Sequence, residues 1–298
     1  MNWKTWVARL ALLSLAVFLA FVGRVYLLDQ AQQGAKQTIM PNLKEHVSDQ
    51  VQIWEDAVRI PYLDTTRTLR IYLPEGYKET DQRYPVIYML DADALFNSFA
   101  MGRPGPEWQL DEVIDQVHQA GGPAAIVIGI DNSEARMTEY KPFIDQYRPE
   151  EAITGDQHAR WIAEELKPWV DSTFRTQASS EHTTIGGASL GGLMAYYLLM
   201  TYPETFGNGL IFSASFWVND IVYSLHETVN NLNQFKIFLH VGKKEGTMVR
   251  DARKVSKLLK AAGMDADHLR FELERGEDHW HMTWRKGFAK AYPWIIQR

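Results

Sequence analysis

The sequence predicts an α/β fold in which a parallel sheet carries helices on both faces. Three observations predict it. Pro85–Leu90 (PVIYML) and Ala124–Ile130 (AAIVIGI) are short continuous apolar runs bounded by breakers, the pattern of strands buried on both sides of a parallel sheet. Such runs alternate with longer stretches of helical period. A glycine-rich turn, Gly186-Gly187-Ala188-Ser189-Leu190-Gly191-Gly192, joins one strand pattern directly to one helix pattern. The composition supports a large folded core. Of 298 residues, 46% are hydrophobic and 23% charged, with 10 Trp, 13 Tyr and 13 Phe, ordinary for a globular chain and ample apolar surface to bury.

The chain opens with Lys4 and Arg9 ahead of the uncharged run Leu10–Gly23 (LALLSLAVFLAFVG). A basic start followed by an apolar stretch is the plan of an export signal. Arg24 interrupts, and VYLL carries the apolar character on to Leu28, close to the length that spans a bilayer if Arg24 snorkels. Phe21-Val22-Gly23 makes a poor small-x-small cleavage site. Residues 1–29 therefore read as an uncleaved anchor, ahead of a cleaved signal. The basic residues on the short leading side place the following domain outside the cytoplasmic membrane, so an exported, periplasmic or membrane-attached protein is expected. Residues 30–50 are polar, with Gly34 and Pro41, and read as a linker to a domain over 51–298.

Within that domain, Thr68–Leu73 (TLRIYL) alternates polar and apolar residues like a half-exposed strand and ends at Pro74 and Gly76. After Pro85–Leu90 and Ala124–Ile130, further strands are expected at His182–Ile185, Leu210–Phe212, Ile237–Val241 and Leu269–Leu273. Helices are expected at about Trp108–Ala120, Gln157–Thr173, Leu190–Thr201, Val249–Ala262 and Met282–Gln297. Arg136–Glu151 is long and irregular, suited to substrate contacts. The net charge of −6, from 31 basic and 37 acidic residues, argues only for solubility, and no basic block favours nucleic acid. With no cysteine in the chain, thiol catalysis and cysteine metal sites are excluded, and no metal or other cofactor is expected.

The chemistry centres on Gly187-Ala188-Ser189-Leu190-Gly191, a G-x-S-x-G pattern with HTTI before it and LGGLMAYYLLMTYP after it. A strained strand-to-helix turn there exposes a serine above the sheet. The glycines are needed where neighbouring backbones come too close for a Cβ. A serine hydroxyl requires a base, and in this strand–turn–helix arrangement the chain order is serine, acid, histidine. His279 and His281, in Gly276–His281 after the FELE strand, qualify, with His279 preferred. His226, His240 and His268 also lie downstream, but His240 falls inside a strand pattern and His268 just ahead of one. A metal site from Asp278, His279 and His281 lacks a further well-spaced ligand. Glu245, after Ile237–Val241, stands where an orienting carboxylate belongs, with Asp251 as the alternative. The Leu190 amide should serve a developing oxyanion. The second donor should come from the loop Asp91–Phe96, at Ala92 or Asp93. Phe96, Trp108, Arg136, Tyr140, Trp217 and Trp280 are candidates to line an aromatic substrate pocket.

The stretches RTLRIYLPEGY, YPVIYMLDADALF, AIVIGIDN, ELKPWVDSTFRT, TIGGASLGGLMAYYLLMTYPETFGNGLIFSASFW, HVGKKEG and GEDHWHMTW together resemble the esterase D family of α/β hydrolases, from about residue 55 to the end. The resemblance implies an α/β-hydrolase fold with a mostly parallel eight-stranded sheet, and a Ser189–His279–Glu245 triad. Trp284-Arg285 sets the register that selects His279 over His281. Ala92 departs from the glycine that relatives often carry after the strand-end residue. The family it resembles includes feruloyl and acetyl-carbohydrate esterases, S-formylglutathione hydrolases, mycolyl transferases and trilactone siderophore esterases, so a carboxylic ester hydrolase acting on a small-molecule ester through an acyl-enzyme is the expected function. An acyltransferase with the same triad and a non-catalytic binding protein on the same scaffold are the rival readings.

Overall fold

The computed structural model describes residues 49–96 and 107–297. The anchor expected at 1–29 and nearly all of the linker expected at 30–50 lie outside the described residues. Among the described residues, no helix is long and apolar enough to cross a membrane.

Among the described residues, eight strands form one sheet: β1 (Val51–Ile60), β2 (Thr65–Tyr72), β3 (Val86–Leu90), β4 (Ile126–Ile130), β5 (Thr183–Ala188), β6 (Asn208–Phe212), β7 (Lys236–Gly242) and β8 (Leu269–Glu274), in the order β1-β2-β4-β3-β5-β6-β7-β8. The sheet is mixed, which corrects the expectation of a mostly parallel one. The pairings from β4 through β3, β5, β6 and β7 to β8 are parallel, whereas β2 runs antiparallel to both β1 and β4. The reason lies in the connections. β1 and β2 are joined by the single 3-10 turn Pro61–Leu63, closed by Asp64 in the left-handed region at φ 48°. A link that short can only return an antiparallel strand.

Among the described residues, seven α-helical segments accompany the sheet: α1 (Leu110–Gln119), α2 (Arg136–Glu139), α3 (Gly155–Trp161), α4 (Lys167–Thr173), α5 (Leu190–Thr201), α6 (Thr247–Ala261) and α7 (His281–Ile295). The helix expected at Gln157–Thr173 is continuous but passes through a π turn at Ile162–Leu166, ahead of Pro168. The wider turn suits a proline that has no amide to offer the preceding turn.

Alternate residues of the central strands feed two cores. Val86, Tyr88 and Leu90 face one with Ile185, Leu193 and Val255, while Ile87 and Met89 face the other with Phe212, Ile114 and Phe288. Helices α3 to α6 cover the first face, and α1 and α7 the second. This period-two division is why the inner strands read as continuous apolar runs. α5 is buried along nearly its whole length, so LGGLMAYYLLM has no polar face to show.

Candidate active site

Ser189 sits in the one-residue elbow between β5 and α5, at φ 58° and ψ −121°. A non-glycine residue there is strained by about 1–3 kcal/mol. Several contacts hold it. Its amide donates to Phe212 O at 3.1 Å, and its carbonyl accepts from Ser215 N at 2.9 Å and Leu193 N at 3.1 Å. The glycines around it are sterically required. A Cβ on Gly187 would lie 2.7 Å from the Gly191 carbonyl, and one on Gly192 would lie 2.8 Å from Phe212 O. The Leu190 amide opens α5 and is one of the first-turn donors that a helix cannot satisfy internally.

Glu245 follows β7 and is not the solvated acid that its lysine neighbours suggest. Its side chain is fully buried. Oε1 accepts from Gly242 N at 2.6 Å and from the Ser213 hydroxyl at 2.7 Å. Oε2 lies 2.7 Å from His279 Nδ1. His279, in the loop between β8 and α7, keeps 34% of its side chain exposed, with its ring packed edge-on against Trp284 at 5.2 Å. The Ser189 hydroxyl is hydrogen-bonded to Ser215 Oγ at 3.4 Å.

The other histidines downstream of Ser189 are placed as follows. His281 Nδ1 accepts from Trp108 Nε1 at 3.1 Å, and burial pulls its pKa below the usual imidazole value. His240 is buried in β7, its pKa likewise lowered by burial against the opposing influence of Glu274. His268 pairs with Asp265 at 2.7 Å, and His226 is buried in a 3-10 turn. Asp251 is buried on α6 against Arg250. Among the described residues, no three His, Asp or Glu gather as a metal-ligand set.

The loop after β3 turns sharply at Asp91, left-handed at φ 61°, into a 3-10 turn at Ala92–Ala94. Arg136 grips the Asp91 carboxylate at two points, Nε–Oδ1 2.5 Å and Nη2–Oδ2 2.7 Å, and Asn132 Nδ2 adds a third at 2.8 Å. The Asp91 amide donates to Tyr140 OH at 3.3 Å. A Cβ on Gly191 would lie 3.0 Å from Asp91 Oδ2, so this turn abuts the start of α5. Ala92 is buried and Asp93 half-buried.

Of the residues expected to line a pocket, three are core. Phe96 stacks on Tyr72 at 6.5 Å, Trp108 packs edge-on against Phe212 at 5.2 Å, and Tyr140 is fully buried beside His158 at 5.6 Å. Arg136 is committed to Asp91 and lies over the Tyr140 ring at 5.1 Å. Trp217 is half-buried against Tyr147 at 6.2 Å, and Trp280 is 43% exposed. Sequence reasoning passed over Ser213, Ser215 and Asn132. Their signal was present: short polar side chains directly after a buried parallel strand, at the carboxyl edge where open α/β sheets place ligands.

The comparisons with known proteins agree with this architecture. The chain is similar to YbbA of Bacillus subtilis (strain 168), 24% identical over 241 residues that cover 77% of this chain and 92% of that one. It is 32% identical over 139 residues to the ferri-bacillibactin esterase BesA of the same organism, covering 41% of this chain and 45% of BesA. The crystal structure of the BES protein from Bacillus cereus superposes with a TM-score of 0.68 at 24% identity, over 86% of this chain and 98% of that one, a likeness of fold. The sequence model of the family described as "Putative esterase" matches residues 60–295, and the chain belongs to that esterase family.

Proposed function

We propose that the protein is a carboxylic ester hydrolase of the α/β-hydrolase type, with Ser189 as nucleophile, His279 as general base and Glu245 as the residue that orients the base. The carrying observation is the 2.7 Å contact from His279 Nδ1 to the buried Glu245 carboxylate, in a fold that also holds Ser189 in a strained strand-to-helix elbow. A carboxylate that accepts from Nδ1–H leaves the Nε2 lone pair free to take a proton.

In this reading Ser189 Oγ attacks the ester carbonyl carbon as its proton passes to His279 Nε2. The carbonyl oxygen, now negative, rests on the Leu190 amide and on an amide of the Ala92–Asp93 turn. Collapse of the tetrahedral adduct breaks the bond to the alcohol oxygen, which leaves with the proton from His279. Water, deprotonated by the same imidazole, then attacks the acyl-enzyme, and the carboxylic acid departs as Ser189 recovers its proton. The substrate is a small-molecule ester of siderophore type, a reading supported by two relatives named a ferri-bacillibactin esterase and a siderophore enterobactin esterase. Segment 1–29 is proposed to attach the domain of residues 51–298 to the inner membrane, facing outward.

The test is a fluorophosphonate probe on the full chain, with mass spectrometry of the labelled peptide. Labelling at Ser189 that is lost in His279→Ala supports the reading. A folded protein that takes no label at Ser189 sinks it.

A further inference from the structure

The Glu245 carboxylate is the middle of a longer hydrogen-bond chain. Trp284 Nε1, on α7, lies 2.9 Å from Ser213 Oγ, and Ser213 Oγ lies 2.7 Å from Glu245 Oε1. Both contacts are buried. Ser213 is the first residue after β6 and stands at φ 42°, a left-handed conformation that a serine adopts at a cost. Its amide is tied to His240 O at 2.7 Å, and two residues on the Ser215 amide is tied to Ser189 O at 2.9 Å. The strained turn therefore sits between the serine elbow and β7, the strand that leads to Glu245.

The chemistry of the groups sets the direction of every bond. An indole N–H donates only, and a serine hydroxyl has a single proton. Trp284 must therefore donate to Ser213 Oγ, and the one Ser213 proton is left to point at Glu245 Oε1. Oε1 then accepts two donors, from Ser213 and from Gly242 N. Oε2 is left to accept from His279 Nδ1.

We propose that Trp284 and Ser213 form a one-way relay, Trp284 N–H to Ser213 O–H to Glu245, which fixes the rotamer and the acceptor role of the carboxylate and through it the Nδ1–H tautomer of His279. Both are positioning residues. The proposal rests on the catalytic reading of Glu245 and His279. Trp284 also packs edge-on on the His279 ring, so one side chain steadies the imidazole by contact and its partner by hydrogen bonding.

The test uses Ser213→Gly, Trp284→Phe and the double variant in the full chain. Glycine removes the hydroxyl and tolerates the positive φ. Phenylalanine keeps an aromatic ring but no donor. Two readouts are taken: ester hydrolysis, and the downfield proton NMR signal of the imidazole Nδ1–H, assigned by its loss in His279→Gln. Each single variant should lower kcat about tenfold with KM within about twofold, the pattern of a group that acts only on the transition state. The imidazole signal should move or vanish in Ser213→Gly. The double variant should be no worse than Ser213→Gly alone, since a residue acting through another adds nothing once that partner is gone. An imidazole signal unchanged in Ser213→Gly, or losses that multiply in the double variant, overturns the relay. The NMR signal needs no turnover, so a wild-type protein inactive on esters rejects the catalytic reading and leaves the relay to be judged on the signal.

Discussion

Arg136 closes a two-point ion pair on Asp91 across 45 residues of sequence, with Nε–Oδ1 at 2.5 Å and Nη2–Oδ2 at 2.7 Å. The pair spans the left-handed turn that leads into Ala92–Ala94 and lies against the start of α5. An arginine expected to touch substrate is thus committed to holding a backbone turn.

If the turn supplies an oxyanion donor, loosening it should weaken the transition state more than the ground state. Arg136→Gln removes the fork geometry while keeping some hydrogen-bonding capacity. We expect kcat to fall about tenfold to a hundredfold, less than the roughly hundredfold to thousandfold loss seen when an oxyanion donor is itself removed, with KM changed little. Steady-state kinetics on an activated ester decides. A raised KM at constant kcat would instead return Arg136 to direct substrate contact.

The φ 58°, ψ −121° backbone of Ser189 stores strain that a glycine relieves. Ser189→Gly should abolish hydrolysis and yet raise stability by about 1 kcal/mol over Ser189→Ala, given a strain of about 1–3 kcal/mol less the extra chain entropy of glycine. For a domain of this size that corresponds to a melting point higher by about 2–4 °C. A glycine variant that melts below the alanine variant would remove the strain argument.

His158 is buried between Tyr140, Trp161 and Tyr62, and burial, aided by the Arg67 charge, depresses its pKa to about 3. The unfolded imidazole binds a proton near its ordinary value of 6.5, and the folded one does not. Unfolding therefore takes up a proton between those two values. Stability contributed by this group is complete above pH 6.5 and is lost as pH falls, at up to about 1.4 kcal/mol per pH unit. Burial depresses His240 and His281 in the same direction. Urea unfolding from pH 7 to pH 4.5 should show a steep decline for the wild type and a shallower one for His158→Gln, by on the order of 2 kcal/mol over that interval. Parallel declines in the two proteins would remove His158 from the account.

Much of the fold is legible because strand and helix periods are local. Thr68–Leu73, Pro85–Leu90 and Leu190–Thr201 carry their patterns within a few residues and reappear as β2, β3 and α5 within a few residues at each end. β1 was not anticipated. Glu55 and Asp56 interrupt its alternation where the register slips between Trp54 and Val58 and Asp56 turns to φ 51°. Ser189 stands out because Gly187, Gly191 and Gly192 crowd one short stretch of chain around it, although of their close contacts only that between Gly187 and Gly191 is local. Glu245 is marked only by its place after β7, because the two lysines before it make a buried acid look solvated.

The sequence by itself determined the alternating α/β elements, the glycine-serine elbow between β5 and α5, and the esterase family resemblance, since each depends on residues close together in the chain. Only the tertiary structure decided that β2 opposes its neighbours, that Phe96, Trp108 and Tyr140 are core, that Arg136 serves Asp91, and that Trp284, Ser213, Glu245 and His279 share one hydrogen-bond chain. The last two outcomes depend on which polar groups the sheet order brings within hydrogen-bonding distance of one another. A buried donor takes whatever acceptor the folded chain supplies, and sequence separation carries no information about that choice.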